Sequence, residues 1–137
     1  MKTLIAKSAL YCSLVLAFLM FTAATPADSS LYRWELLGLR KVNYQLDRDQ
    51  ISVTLKEGVF NAVQFKIKRA GLNMHRCVIH FANGDTQNVA LKKQFKPGSQ
   101  SRVIDLKGRN RVIQKVVFWY DSKNNRPVKS VVQLWGK

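Results

Sequence analysis

The sequence predicts an all-β protein: an antiparallel β-sandwich or jelly roll of about seven or eight strands after an N-terminal signal helix. Three observations carry this expectation. Beyond the leader, short runs alternate apolar and polar residues, the two-residue period of a strand with one dry and one wet face. Turn residues separate these runs at roughly regular spacing, as in sandwiches and barrels. Helical spacing is not sustained anywhere after the leader, so nothing supplies the crossover helices that a parallel sheet needs.

The leader comes first. Met1 to Lys7 holds two lysines and no acid, and Ser8 to Ala24 is dominated by apolar and small residues. Thr22-Ala23-Ala24-Thr25-Pro26-Ala27 then offers the small residues that signal peptidase accepts. Residues 1–27 are expected to be a secretory signal peptide cleaved after Ala24 or Ala27, leaving 28–137 as a single β-sandwich domain. A retained membrane span needs about 20 apolar residues, and this stretch is shorter, so no retained transmembrane helix is expected. Cys12 follows the bulky Tyr11 where a lipoprotein signal requires a small residue, and it departs with the leader. A periplasmic or secreted location follows, away from ATP and nicotinamide cofactors.

Loss of Lys2 and Lys7 from the 23 basic residues leaves 21 against 8 acidic ones, a net charge of +13. Such an excess raises the local concentration of polyanions and speeds encounter with them. The expected partners are an anionic polysaccharide, an anionic lipid or an acidic protein, with nucleic acid a partner only outside the cell. Cys77 is then the sole cysteine, so no internal disulfide forms, and the sequence predicts a buried thiol.

Leu31 to Leu39 reads as the first strand, with Trp34 and Leu36 on one side. Gln50 to Leu55 places Ile51, Val53 and Leu55 on one face. Val63, Phe65 and Ile67 alternate with Gln64, Lys66 and Lys68, giving one dry and one cationic face. His75 to Leu91 reads as a hairpin with two possible registers. A two-residue turn at Asn83-Gly84 would put Val89 and Leu91 on the side of Arg76 and His80, leaving Cys77, Ile79 and Phe81 facing Thr86 and Asn88. A three-residue loop Ala82-Asn83-Gly84, with Gly84 left-handed as a bulge, unites all five on one face. A one-residue slip flips every side chain, so the apolar pattern selects the bulged loop; it pairs Phe81 with Asp85 and turns His80 outward.

Gln94 to Gln100 reads as a loop around Pro97-Gly98, Ser101 to Leu106 as a strand and Gly108 as a turn. Arg111 to Asp121 is a strand apolar on both faces from Val116 to Tyr120, hence central and covered on two sides. Ser122 to Pro127 is a polar turn, and Val128 to Trp135 is the last strand.

Catalytic constellations are sparse. His75 and Cys77 share a strand face on this reading, but that face is the dry one and strand neighbours splay by nearly 7 Å. Asp47-Arg48-Asp49 lacks the ladder of oxygen ligands that calcium takes, and reads more simply as a charged turn. No nucleophile elbow, P-loop, dinucleotide fingerprint or Cys-x-x-Cys pair occurs. Neither a catalytic residue, a cofactor nor a metal site is expected.

The cations are the candidates. They fall in three groups: Lys66, Lys68 and Arg69; Lys92, Lys93 and Lys96 around Phe95; and Arg102, Lys107, Arg109, Arg111 and Lys115 around Gly108. Arginine forks suit phosphate and sulfate bidentately, whereas lysines act as point charges. The expected anion site is Arg102, Arg109, Arg111 and Lys115, gathered on one edge of the sandwich, with Lys66 and Lys68 adding long-range attraction. Phe95 could stack on a sugar or base, whereas Trp119, Tyr120 and Trp135 on strands are expected in the core.

The string Ser101-Arg102-Val103-Ile104-Asp105-Leu106-Lys107-Gly108-Arg109-Asn110-Arg111-Val112-Ile113 resembles a pattern in small exported bacterial proteins of unknown function. So do Val117-Phe118-Trp119-Tyr120, Trp34-Glu35-Leu36-Leu37-Gly38 and Val132-Gln133-Leu134-Trp135-Gly136. The resemblance implies a β-sandwich and brings no activity or ligand. It also implies that Arg102 and Asp105 are structural, as a salt bridge or turn cap. The functional expectation is an exported, non-catalytic module that binds an anionic envelope component or acidic partner. The alternatives are an assembly protein of the envelope or a carbohydrate-binding module, the latter requiring aromatic rings on a solvent face.

Overall fold

A computed structural model describes residues 33–44, 46–54, 57–121 and 127–137. The leader and most of the 122–127 turn lie outside the described residues. Eight strands are present: β1 Glu35–Lys41, β2 Arg48–Ser52, β3 Ala62–Lys68, β4 Leu72–Phe81, β5 Thr86–Phe95, β6 Ile104–Asp105, β7 Ile113–Tyr120 and β8 Val131–Gly136. They form two four-stranded sheets, with orders β1-β8-β3-β6 and β2-β7-β4-β5, and every pairing is antiparallel. The all-β sandwich expected from the alternating pattern is the observed architecture.

The core lies between the sheets. Val63, Phe65 and Ile67 of β3 and Cys77 and Ile79 of β4 are fully buried, facing Val116 and Phe118 of β7 and Val132 and Leu134 of β8. Phe65 and Phe118 meet edge to face across the layers, with ring centroids 6.3 Å apart, the geometry the aromatic quadrupole favours. Gly38 lets β1 approach β2 closely, since a Cβ there would lie 2.6 Å from Ile51 Cγ2.

The β4–β5 hairpin adopts the bulged loop. Cys77 pairs with Val89, the Phe81 N–H donates to the Asp85 carbonyl at 2.9 Å, and Gly84 has φ +94°. His80 points outward, as the chosen register requires. One detail differs. A register irregularity between Met74 and Arg76 leaves Met74 and Cys77 buried while His75 is exposed. The bulge inserts one residue, so His75 and Cys77 do not share a face.

Strand boundaries and coverage differ from expectation at several points. β5 runs on to Phe95, which is 1% exposed, so this ring belongs to the core and not to a binding loop. The strand expected over 101–106 shrinks to Ile104–Asp105. The preceding segment still covers the β3 edge, through Ser101 N–H to Phe65 O and Gly98 N–H to Ile67 O. Finally, β7 is central in its sheet, yet among the described residues no second layer covers its outer side. Val117 is buried there by cross-strand neighbours, whereas Trp119 is only half-buried.

Candidate anion-binding surfaces

The six cations expected to bind an anion fall on separate surfaces. Lys66 and Lys68 point outward from β3, on the outer face of the first sheet. Lys115 points outward from β7, on the outer face of the second sheet. These faces look in opposite directions. Arg102 and Arg109 are exposed on the connection between β5 and β7. Of the four expected on one edge, Arg102, Arg109 and Arg111 lie in the segment between β5 and β7, whereas Lys115 departs onto the outer face of the second sheet, because alternate residues of a strand face opposite sides.

Arg111 is already occupied. Its Nη1 donates to the Lys107 carbonyl at 2.7 Å, and its Nη2 donates to Asp85 Oδ2 at 2.9 Å and to Asn83 Oδ1 at 3.2 Å. Its guanidinium lies 3.8 Å from the centroid of the Phe81 ring. Hydrogen bonds from Asn83 and then Arg111 hold the Asp85 carboxyl below its usual range. Arg111 is a strut between the Gly108 turn and the hairpin loop, with its charge matched internally. No ion pair between Arg102 and Asp105 occurs among the described residues.

The other internally matched carboxylate is Asp49. It accepts from Arg40 Nε at 2.9 Å and from the Tyr120 hydroxyl at 3.2 Å, at the side where β1 and β2 bring the layers together. Asp49 is 5% exposed, whereas Asp47 is exposed, so the two carboxylates sit in different environments. Burial, followed by the Asp49 charge, raises the Tyr120 hydroxyl above its ordinary value. Burial also pushes the Cys77 thiol up to about 12. Among the described residues, no group of three or more His, Cys, Asp or Glu is placed to hold a metal. No helix among them is long and apolar enough to cross a membrane.

A groove of about 740 Å³ opens at one end of the first sheet, beside β6. Trp34, Ala62, Val103 and Leu106 give it apolar walls, and Asn61, Asp105, Arg109 and Lys137 add polar groups. That volume falls within the usual range of small-ligand clefts. Arg109 and Asn110 both take left-handed conformations, φ 51° and 49°, directly after Gly108 at φ 89°. For residues with a Cβ this costs about 1–2 kcal/mol each, less for asparagine. The Asn110 N–H donates to Asn61 Oδ1 at 2.7 Å, which pins the strained turn to the groove rim.

The outer face of the first sheet is built from β1, β8 and β3. Register aligns Leu36 with Trp135 and Gln64, then Leu39 with Gln133 and Lys66, then Lys41 with Val131 and Lys68. The Lys66 ammonium sits 4.1 Å from the centroid of Trp135, whose indole N–H donates to Gln133 at 3.1 Å. Trp119 occupies the corresponding outward position on the second sheet. The expectation that Trp119 and Trp135 are core residues is thus corrected, since both are half-buried, as is Trp34, whereas Tyr120 is in the core as expected. Sequence reasoning missed this because Val116 to Tyr120 is apolar throughout, so alternation could not separate Trp119 from the buried Phe118 and Tyr120. In β8, the alternation of Val132 and Leu134 with Gln133 and Trp135 was the available signal.

No curated protein sequence matches the chain. Among solved structures, AlgX of Pseudomonas aeruginosa is similar, with a TM-score of 0.50 at 10% identity. The match covers 75% of this chain and 26% of that one, and is a likeness of fold. The family model for a domain of unknown function, DUF2541, matches residues 13–136, and the chain belongs to that family.

Proposed function

We propose that this domain is an exported, non-catalytic module that binds an anionic carbohydrate of the cell envelope. The observation that carries the reading is the groove beside β6, where the Trp34 ring, the exposed Val103 and the strained Arg109 converge. An indole offers an apolar face to a sugar ring, a guanidinium offers a planar fork to its carboxylate or sulfate, and amide groups serve the hydroxyls. Lys66 and Lys68 on the adjoining sheet face supply attraction at longer range. The half-buried Trp34 in the groove lining supports a carbohydrate ligand over a purely electrostatic one. The buried Cys77 and the separation of His75, Asp47 and Asp49 support the non-catalytic reading. The export assignment rests on the leader sequence.

The test is calorimetric titration with a short uronic-acid oligosaccharide. Arg109→Ala and Trp34→Ala should each weaken binding about tenfold. Binding of the double variant at wild-type strength rejects the groove.

A further inference from the structure

We infer that the outer face of the second sheet is a second, independent oxyanion site, and that its ligand is an extended acidic polysaccharide. Strand register defines three rows of this face. One row across β2, β7, β4 and β5 is Arg48, Trp119, Arg76 and Ala90; the next is Gln50, Val117, Val78 and Asn88; the third is Ser52, Lys115, His80 and Thr86. None of these outward positions carries a carboxylate.

Trp119 holds the centre of the first row. The Arg76 guanidinium lies 3.7 Å from its ring centroid and that of Arg48 lies 5.9 Å away. Neither arginine has a carboxylate within 4.0 Å among the described residues. A guanidinium stacked on an aromatic face keeps the N–H donors in its own plane free, and stacking fixes that plane before a ligand arrives. The indole on β7 thus lies between two unneutralised forks on its flanking strands β2 and β4, each strand about 4.8 Å from β7, with Arg76 the one mounted on the ring. Arg111, by contrast, stacks on Phe81 but points its donors at Asp85, so its fork is spent.

The chemistry of the face selects the occupant. Amide and hydroxyl side chains, namely Gln50, Asn88, Ser52 and Thr86, share the face with the cations, a composition suited to a chain bearing both charges and hydroxyls. Nucleic acid is disfavoured because single strands bind largely by stacking bases on open aromatic faces, and Arg76 covers Trp119. A lipid surface is disfavoured because none of the outward positions in these rows is an exposed large apolar residue, and Leu46 alone of that kind lies beside Arg48.

The site does not depend on the groove, and the experiment separates them. Polygalacturonate is titrated against the full domain in a Trp34→Ala/Arg109→Ala background, where the groove makes no contribution. Both Arg48 and Arg76 are exposed, so their variants fold, as a thermal melt verifies. Adding R76A should weaken binding about tenfold, and adding both R48A and R76A should remove most of it. R76K should recover only a minor part, because lysine keeps the charge and loses the stacked fork. Undiminished binding by the R48A/R76A form, or full recovery by R76K, overturns the site. Equal affinity for single-stranded DNA or for anionic phospholipid vesicles, lost in the same variants, overturns the polysaccharide assignment.

Discussion

Arg111 holds the Asp85 carboxylate at 2.9 Å across 26 residues of sequence, joining the turn before β7 to the tip of the β4–β5 hairpin. Truncating it removes the contact with the Phe81 ring and the hydrogen bond to Lys107, together worth about 1–2 kcal/mol. Arg111→Ala should therefore lower the thermal midpoint while leaving anion binding intact. Asp85, being fully exposed, reports the same contact through pH. Its folded-state carboxyl is held low, so its contribution is present above the unfolded value and lost as pH falls through the folded one. Acid melts of Arg111→Ala should show a shallower loss over that window than wild type.

Tyr120 gives the opposite pH signature. Its hydroxyl is raised from 10.0 by burial and the Asp49 charge. The unfolded chain releases this proton first, so stability falls as pH climbs past 10. Denaturant melts on the alkaline side should flatten in Tyr120→Phe. At neutral pH that variant should lose about 1 kcal/mol, because the buried Asp49 carboxylate forfeits a donor.

Arg109 predicts a split between stability and binding. Arg109→Gly relieves a left-handed residue and should raise stability by up to about 1 kcal/mol in chemical denaturation. The same substitution removes the groove cation and should weaken an acidic oligosaccharide as much as Arg109→Ala does. A stabilised variant with lost affinity is the outcome expected of strain kept for function.

Gly38 tests the packing of β1 on β2. Gly38→Ala drives a methyl against Ile51 Cγ2 at 2.6 Å and should cost about 1–3 kcal/mol. Shortening Ile51 to Ala makes room, so the double variant should be more stable than the two separate losses predict. Urea melts of all four forms measure that coupling.

The alternating pattern was sufficient to read the layers, the β4–β5 register and the burial of Cys77, because burying five apolar residues on one face tolerates a single pairing. It could not locate the bulge at Met74/Arg76, which moves His75 outward without altering the apolar pattern after it. Phe95 was misplaced for a related reason: Lys92 and Lys93 read as loop residues, whereas tertiary packing carries β5 through them. The candidate site was the less legible part. Whether an arginine is available depends on partners far away in sequence, as with Arg111 and Asp85. Arg48 and Arg76 are brought beside one indole only by the pairing of β2 and β4 with β7.

The thiol of Cys77 is sealed between the layers and held overwhelmingly protonated at neutral pH, so a sulfhydryl reagent reaches it only when the sandwich parts. The rate of its modification in native buffer thus becomes a clock for the rarest breathing motions of the domain, one that needs no engineered probe.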